Sequence, residues 1–269
     1  MPATEPDMLR QLFGLEDDVA VVAGGAGRIG RVLCASLAQA GARVAILDLA
    51  DSTDELAASI TSATARRALA LKRDLTRADE LAGARDDVER ELGPTTILIN
   101  CAQFRGQGFY SSSPENYPRE AWDRVLETNL SAVHLACQVF GGAMAARGAG
   151  RIINFSSTYG VVSADPRIYG DSGVNSPIAY GVSKAGVIGL TRYLAVHWAP
   201  RGVRVNCLVP GGVYDGQDAE FVANYNARTP LGRMATAEDY QGPVLFLASR
   251  ASAYMTGAVL TVDGGWTAW

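Results

Sequence analysis

A tyrosine and a lysine stand four residues apart at the head of an apolar stretch, Tyr180 and Lys184 in AYGVSKAGVIGLTRYLA. At this spacing two side chains lie one turn apart on the same side of a helix. A neighbouring ammonium favours the phenolate, and a phenol with a lowered pKa suits proton transfer near neutral pH. The pair therefore indicates acid–base chemistry, although the same spacing also arises by chance between two surface side chains.

A glycine-rich turn is the second chemical feature. Residues 25–30 read Gly-Ala-Gly-Arg-Ile-Gly, the pattern G-x-G-x-x-G, between a strand-like VAVVAG and a helix-like segment. Glycines let a pyrophosphate approach the backbone, and the start of the helix offers unpaired N–H groups and the positive end of its dipole. Because strand, turn and helix occur in the required order, the pattern predicts a dinucleotide site rather than only a tight turn.

Acidic residues follow the next two predicted strands. Asp48 lies 18 residues beyond Gly30, where a carboxylate can accept both ribose hydroxyls of the adenosine and repel a 2′-phosphate. We therefore expect NAD to be favoured, with NADP as the other candidate, since Arg28 in the turn offers a partner for a phosphate. Asp74 and Leu75 are placed to contact the adenine, or Asp74 caps the following helix, and both interpretations stay open.

Short apolar strands alternate with amphipathic helices along the whole chain. This order predicts an α/β fold, a doubly wound parallel sheet of Rossmann type in three α/β/α layers. No linker or repeat divides residues 1–269, so we expect one dinucleotide-binding domain whose ligands lie beyond the carboxyl ends of the strands. The predicted strands are 19–24, 42–49, 68–75, 95–102, 151–157, 203–212 and 258–265, and the predicted helices are 31–41, 54–62, 77–92, 119–146, 176–199, 219–226 and 236–249.

Composition excludes several other classes of function. The net charge is −4 and charges of both signs are interspersed, so we expect no nucleic-acid partner. The four cysteines and two histidines lack the spacing of metal ligands, which predicts no metal site and reduced thiols. No signal peptide and no apolar run of about 18 residues is present, so we expect a cytoplasmic protein with no membrane partner.

Further motifs occur in a fixed order: AGGAGRIG, NCAQ, NLSA, NFSS, YGVSK and RVNCLVPGG. On these motifs the chain resembles the short-chain dehydrogenase/reductase family, single-domain type, from about Leu15 to the C-terminus. The resemblance implies a small-molecule substrate and homotetramers or homodimers built through the helices at 119–146 and 176–199. The dinucleotide contacts that it implies are Gly24, Gly27, Arg28, Ile29, Gly30, Asp48, Asp74, Leu75, Asn100, Ala102, Tyr180, Lys184, Pro210, Gly211 and Val213.

The resemblance also implies catalytic roles for four residues. Tyr180 would be the general acid/base, and Lys184 would lower the pKa of that phenol and bind the nicotinamide ribose. Ser157 would hold the substrate oxygen, and Asn129, unusual in the middle of a predicted helix, would hold a water in a proton relay. The implied activity is NAD(P)-dependent interconversion of a secondary alcohol and a ketone.

Five positions depart from the family pattern. Ala23 stands where the family has threonine, and Arg28 replaces the middle glycine of the turn. The usual Asn-Asn-Ala-Gly reads Asn-Cys-Ala-Gln, so Cys101 and Gln103 replace an asparagine and a glycine. Asp215 occupies the place of a threonine that often bonds the cofactor.

The interval between Ser157 and Tyr180 is longer than the family usually has. Its Gly, Pro and polar residues at 158–179 predict a loop over the substrate side, and a structural loop at a subunit contact is the alternative. This insertion and the ending VDGGWTAW resemble enzymes of bacterial surface-sugar and flagellin-glycan pathways, and Trp266 and Trp269 are expected at an interface or over the substrate site. The side chains available to a polyhydroxylated or charged substrate are Tyr159, Asp165, Arg167, Tyr169, Asp171 and Asn175.

The predicted substrate is a sugar, a sugar derivative or a polyol. A 3-oxoacyl-thioester reductase is the alternative within the same class. A dinucleotide-binding sensor or scaffold without turnover is the alternative from another class, and the presence of both Tyr180 and Lys184 favours the enzyme.

Overall fold

Seven strands form one sheet in the computed structural model, which describes residues 5–106, 109–110, 113–172 and 174–269. The strand order is β3-β2-β1-β4-β5-β6-β7, and every neighbouring pair is parallel. The chain therefore winds outward from β1 in one direction and from β4 in the other. The strands are β1 Val19–Ala23, β2 Arg43–Asp48, β3 Ala68–Lys72, β4 Ile97–Asn100, β5 Gly150–Phe155, β6 Val203–Pro210 and β7 Val259–Val262.

Helices connect these strands and cover both faces of the sheet. Helices α5, α6 and α7 follow one another directly and are joined by π-helical turns at Glu127–Ser131 and Cys137–Gly141. The helices are α1 Glu5–Phe13, α2 Arg28–Gln39, α3 Thr53–Thr64, α4 Ala78–Glu91, α5 Arg119–Leu126, α6 Ala132–Ala136, α7 Gly142–Arg147, α8 Ile178–Trp198, α9 Ala219–Arg228 and α10 Gln241–Ala248.

Two apolar cores lie on the two faces of the sheet. Along β1, Val19 and Val21 pack into one core, and Ala20 and Val22 pack into the other. All five residues of this strand are buried. A strand that is apolar at every position is typical of a parallel sheet covered on both faces, so the predicted doubly wound fold is confirmed.

Two local expectations were wrong. Strand β3 ends at Lys72, because the chain turns there and the backbone N–H of Asp74 donates to the carboxylate of Glu80 at 2.7 Å. The helix Glu5–Phe13 precedes β1 in a stretch where the sequence predicted no element. The apolar alternation of β3 stops at Lys72, ahead of Arg73 and Asp74, and α1 is a helix of mixed polarity that is too short for its apolar periodicity to be clear in the sequence.

The described residues contain no helix that is both long and apolar enough to cross a membrane. In the same part of the chain, histidine, cysteine and carboxylate side chains do not gather in groups of three or more that could hold a metal ion.

Candidate active site

A cavity of about 910 Å³ opens at the carboxyl edge of the sheet. Residues that follow the first six strands contribute to its wall, so it spans the point where the winding reverses between β1 and β4. Doubly wound sheets bind their ligands at this point. The predicted site residues that line the cavity are Gly24, Gly27, Arg28, Ile29, Gly30, Asp48, Asp74, Leu75, Ala102, Ser157, Tyr180, Lys184, Pro210, Gly211 and Val213.

The glycine turn after β1 forms a cradle at one side of this cavity. Gly24 has a φ of +83°, and a Cβ on it would lie 2.6 Å from the backbone of Ala102. Helix α2 begins at Arg28, and its N-cap residue Gly27 provides no side chain to the first N–H groups. A Cβ on Gly27 would meet only a carbonyl oxygen at 3.2 Å, so this side is open. Free N–H groups behind an open glycine fit a pyrophosphate.

Asp48 ends β2 beside this turn. Its Oδ2 accepts a hydrogen bond from the backbone N–H of Ala26 at 3.0 Å, and its Oδ1 accepts one from Ala50 at 3.1 Å. These two bonds fix a half-buried carboxylate at the cavity wall. A carboxylate fixed there suits two ribose hydroxyls and opposes a 2′-phosphate.

Asp74 and Leu75 line the cavity from the turn that leads into α4. The Oδ1 of Asp74 accepts hydrogen bonds from the backbone N–H of Thr76 at 2.9 Å and from its hydroxyl at 2.7 Å. The N-cap residue of α4 is Arg77, with no capping bond from a side chain. The carboxylate of Asp74 therefore closes the turn ahead of the helix and does not cap the helix itself.

Ser157, Tyr180 and Lys184 meet on the cavity wall formed by β5 and α8. The ammonium of Lys184 lies 5.8 Å from the centre of the Tyr180 ring and donates to the carbonyl oxygen of Phe155 at 3.1 Å. Lys184 is 3% exposed. The hydroxyl of Ser157 accepts from the backbone N–H of Tyr159 at 3.2 Å. The end of one strand thus fixes the position of both the ammonium and the serine.

Burial controls the ionisation of this pair. Loss of hydration raises the pKa of the Tyr180 phenol and lowers the pKa of Lys184 to about 8. The neighbouring Ser157 and the charge of Arg105 oppose the rise at Tyr180 but are weaker than burial. Burial disfavours the charged form of both groups, and in the protein alone it outweighs any effect of Lys184 on the pKa of Tyr180.

Asn129 lies in the first π-helical turn and is fully buried. Its Oδ1 accepts the backbone N–H of Phe104 at 2.8 Å, so this amide holds the segment that follows β4. Its Nδ2 has no hydrogen-bond partner among the described residues. A buried amide with a free N–H fits a bound water, the role implied by the family resemblance.

Asn100 lies behind the cavity wall rather than in it. Its Nδ2 donates to the Oδ1 of Asn154 at 2.8 Å, and the Nδ2 of Asn154 donates to the hydroxyl of Thr191 at 3.0 Å. These bonds tie β4, β5 and α8 together beneath the catalytic wall. The amide nitrogen of Asn100 is thus engaged inside the protein, and the residue predicted as a cofactor contact does not line the cavity.

The loop after β6 brings a carboxylate to the mouth of the cavity. Asp215 forms an ion pair with Arg28 of the glycine turn, and 42% and 53% of the two side chains are exposed. Arg28 therefore contacts an acid of the chain itself, which the sequence analysis did not foresee. Pro210, Gly211 and Val213 of the same loop line the wall as predicted.

Comparisons with known proteins agree with this geometry. A family model described as enoyl-(acyl carrier protein) reductase matches residues 24–267. The crystal structure of a short-chain dehydrogenase from Leptospira borgpetersenii with bound NAD+ matches at a TM-score of 0.84 and 36% identity, covering 99% of this chain and 97% of that one. This chain belongs to the short-chain dehydrogenase/reductase family. It is an oxidoreductase that acts on CH–OH groups with NAD or NADP.

Two curated relatives of this short-chain dehydrogenase/reductase act on hydroxylated substrates. Galactitol 2-dehydrogenase (L-tagatose-forming) of Cereibacter sphaeroides is 35% identical, with 97% of this chain and 99% of that protein covered. The cis-4-hydroxycyclohexanecarboxylate dehydrogenase of Sinomonas cyclohexanicum is 36% identical, with 93% and 96% covered. The narrower resemblance to surface-sugar enzymes stays a prediction.

Only some of the side chains in the insertion at 158–179 that were predicted to bind the substrate line the cavity of this short-chain dehydrogenase/reductase. Tyr159 and Tyr169 line the wall, and the Tyr159 ring meets Tyr180 edge to face at 6.5 Å. Asp171 and Asn175 do not contribute to the wall, which corrects their assignment to the substrate. The oxygen of the Asn175 amide instead accepts from the next backbone N–H at 2.8 Å.

The rest of the insertion is anchored to α9 and to the C-terminal segment. Asp165 accepts from Arg167 at 2.8 and 2.7 Å and lies 3.5 Å from Arg228, so these two predicted substrate ligands serve the loop itself. Trp266, 1% exposed, stacks on Tyr225 at 4.3 Å. Together with Ile168 and Met234 they form a third apolar core, which we call the substrate-side core.

Several cavity residues escaped the sequence analysis. They come from the segment after β4 and from α9 and its neighbours, far apart in the chain and outside any motif. Only the fold brings them together, although the aromatic density after NCAQ was a usable signal. The missed residues from these segments include Phe104, Arg105, Phe109, Tyr110, Phe221, Tyr225 and Met234.

Proposed function

We propose that this enzyme interconverts a secondary alcohol and a ketone on a sugar, a sugar derivative or a polyol, with NAD as the favoured cofactor. The observation that best supports this proposal is that Ser157, Tyr180 and Lys184 share one cavity with the glycine turn and Asp48. Groups for proton transfer and groups for a dinucleotide thus face the same space. Hydride transfer is chemistry that a bound nicotinamide dinucleotide supplies.

In this proposal Tyr180 exchanges a proton with the substrate oxygen, and Ser157 holds that oxygen by a hydrogen bond. Because burial raises the pKa of Tyr180, the phenol is protonated at neutral pH and ready to act as an acid toward a ketone. For alcohol oxidation the phenolate needs positive charge nearby, and the ammonium of Lys184 at 5.8 Å from the ring supplies part of it.

Two further groups complete the proposed proton path. An ammonium has three N–H donors, and one of those on Lys184 is used by the carbonyl of Phe155, so others remain for the nicotinamide ribose. The free Nδ2 of Asn129 would hold a water at the inner end of the path. Asp48 supports the preference for NAD, and NADP is the second candidate.

The proposed substrate class is inferred from the part of the cavity wall that carries Tyr159 and Tyr169. The phenols of Tyr159 and Tyr169 provide hydrogen-bonding groups on an aromatic surface, which suits a compound that carries both C–H faces and hydroxyls. Galactitol, named for one relative, is such a compound. A 3-oxoacyl-thioester reductase is the second candidate, and the description of the matching family model, which names a reductase of acyl-carrier-protein substrates, favours it.

We further propose that residues 1–269 act as one domain and assemble as a homotetramer in the cytoplasm. The exposed side of α8 supports this assembly, because Tyr193 is 71% and Val196 is 79% exposed. Light scattering of the purified protein and of Val196→Glu tests it, and a monomeric wild type would contradict it.

The test of the activity is a panel of polyols, sugars and acetoacetyl-CoA with NAD and NADP, followed by the absorbance of reduced nicotinamide. We expect Tyr180→Phe to lower kcat about 100- to 10,000-fold while NAD still binds. Tyr254→Phe, at a fully exposed phenol outside the cavity, is the matched control. Full turnover by Tyr180→Phe would refute the proposal, and tight NAD binding without turnover of any compound would favour a sensor.

A further inference from the structure

Four cationic side chains line the cavity, and one of them differs from the others in its contacts. Among the described residues Arg105 makes neither an ion pair nor a hydrogen bond. The other three are bound within the protein: Arg28 to Asp215, Arg73 to Asp87, and Lys184 to the carbonyl oxygen of Phe155.

In the described part of the chain, the carboxylates of the cavity wall form no ion pair with Arg105. Asp48 and Asp74 lie on the dinucleotide side and accept backbone N–H groups there. Asp215 is paired with Arg28. Asp218 is the N-cap of α9 and accepts the backbone N–H of Phe221 at 2.8 Å. Within the ranges that the structure describes, Arg105 is therefore the cation of the wall whose guanidinium has no partner in the protein and can bind a ligand.

The segment that carries Arg105 is fixed close to the catalytic groups. The backbone N–H of the preceding residue, Phe104, is held by the buried amide of Asn129 at 2.8 Å. The charge of Arg105 reaches both catalytic groups: it weakly opposes the burial-driven rise of the Tyr180 pKa and adds weakly to the burial-driven fall of the Lys184 pKa.

Arg105 itself is exposed, and aromatic rings form the cavity wall between it and the catalytic groups' side of the same space. Phe109, 3% exposed, meets the ring of Tyr180 at 5.9 Å and the ring of Tyr110 at 4.9 Å, each edge to face. Tyr159 continues the same wall beyond Tyr180. A ligand beside Arg105 would thus have one charged contact and otherwise aromatic surface.

We propose that Arg105 binds a carboxylate of the substrate, so that the enzyme acts on a hydroxy acid, either a sugar acid or a hydroxylated ring carboxylate. This assignment rests on the proposed function and narrows it. A guanidinium binds a carboxylate through two parallel N–H···O bonds. One unpaired guanidinium matches one carboxylate.

The test compares each acid with a neutral partner of the same shape. The pairs are gluconate with glucitol, and cis-4-hydroxycyclohexanecarboxylate with its carboxamide. We expect the wild type to favour the acid over its neutral partner by tenfold or more in kcat/KM in at least one pair. A preference in the gluconate pair would indicate an open-chain acid as the substrate, and a preference in the cyclohexane pair would indicate a ring acid. Arg105→Ala should lower the acid-to-neutral ratio about 10- to 100-fold, mainly through KM, and Arg105→Lys should keep part of it.

Arg250→Ala, an exposed arginine outside the cavity, is the control and should keep both rates. An unchanged ratio in Arg105→Ala, or no preference for either acid in the wild type, would overturn the assignment while alcohol oxidation stands. Weaker NAD binding by Arg105→Ala with an unchanged ratio would place the arginine on the dinucleotide instead. If no alcohol of the panel is oxidised, the proposed function fails and this assignment fails with it.

Discussion

Arg28 and Asp215 form an ion pair that joins the glycine turn to the loop after β6 across the mouth of the cavity. Both residues depart from the family pattern, Arg28 in place of a glycine and Asp215 in place of a threonine. The two changes compensate each other, because the guanidinium neutralises a carboxylate that would otherwise face the phosphates of a dinucleotide. Since both side chains are about half exposed, solvent screens the pair and its effect is modest.

Replacing Asp215 by threonine should tighten NAD binding. The substitution releases Arg28 for the pyrophosphate, and the exposure of the site limits the change in Kd to about fivefold. Fluorescence titration of the purified variants measures this. In an Arg28→Gly background the same substitution should give a smaller gain, and an equal gain in both backgrounds would show that the two residues are not coupled.

Asp48→Asn should shift the cofactor preference toward NADP. The amide keeps the shape of the carboxylate but removes the charge that repels a 2′-phosphate, so the NAD-to-NADP ratio of kcat/KM should fall at least about tenfold. Asp51→Asn is the control, since that carboxylate is fully exposed and pairs with Lys72 on the surface. A ratio that does not move in Asp48→Asn would remove this residue from the cofactor site.

Lys184 should make stability depend on pH. Its pKa is about 8 in the folded protein and near 10.5 when unfolded, so between these values the unfolded chain holds one more proton. The contribution of Lys184 to the unfolding free energy should therefore rise with pH in this window, by up to about 3 kcal/mol, and stay level below pH 8. The buried cysteines, whose pKa values are raised, act in the opposite direction equally in wild type and variant, so the difference between the two isolates Lys184. Urea unfolding of wild type and Lys184→Met from pH 7 to 10 measures the difference.

Lys72→Met is the control for that series. The ammonium of Lys72 is exposed and pairs with Asp51, which raises the pKa of Lys72. The difference in unfolding free energy between wild type and Lys72→Met should therefore stay constant between pH 8 and 10. A stability gap between wild type and Lys184→Met that is constant over this range would mean that Lys184 keeps an ordinary pKa.

Trp266→Ala should destabilise the substrate-side core. The indole is 1% exposed, stacks on Tyr225 and lies 5.1 Å from the guanidinium of Arg228, so truncation should cost about 3–5 kcal/mol of unfolding free energy. The KM for substrate should rise more than the Kd for NAD, because only the substrate wall rests on this core. Trp269→Ala, 72% exposed, should cost far less, and equal losses in the two variants would contradict the packing.

The sequence was sufficient for the sheet and for the motif-bearing walls. Buried strands such as β1 are apolar at every position, and glycines at fixed spacing mark the turn where backbone must approach a ligand. Local patterns of this kind can be recognised in the sequence without knowledge of tertiary contacts. They placed Ser157, Tyr180, Lys184 and Asp48 correctly in one cavity.

Contacts between distant segments were not readable in the same way. Asp165 and Arg167 looked like substrate ligands, but they bind each other within the insertion. Arg105 carries no motif, and its significance appears only when the partners of every other cation at the wall are known. The raised pKa of Tyr180 likewise follows from burial, a property of the assembled fold rather than of the Y-x-x-x-K spacing.

The third apolar core is assembled from the insertion, α9 and the C-terminal segment, and it is separate from the two cores that hold the sheet. Evolution can therefore change the substrate-binding region while the dinucleotide-binding region of the enzyme stays unchanged. An engineer who grafts these three segments together from a relative should be able to exchange specificity without redesigning the catalytic helix.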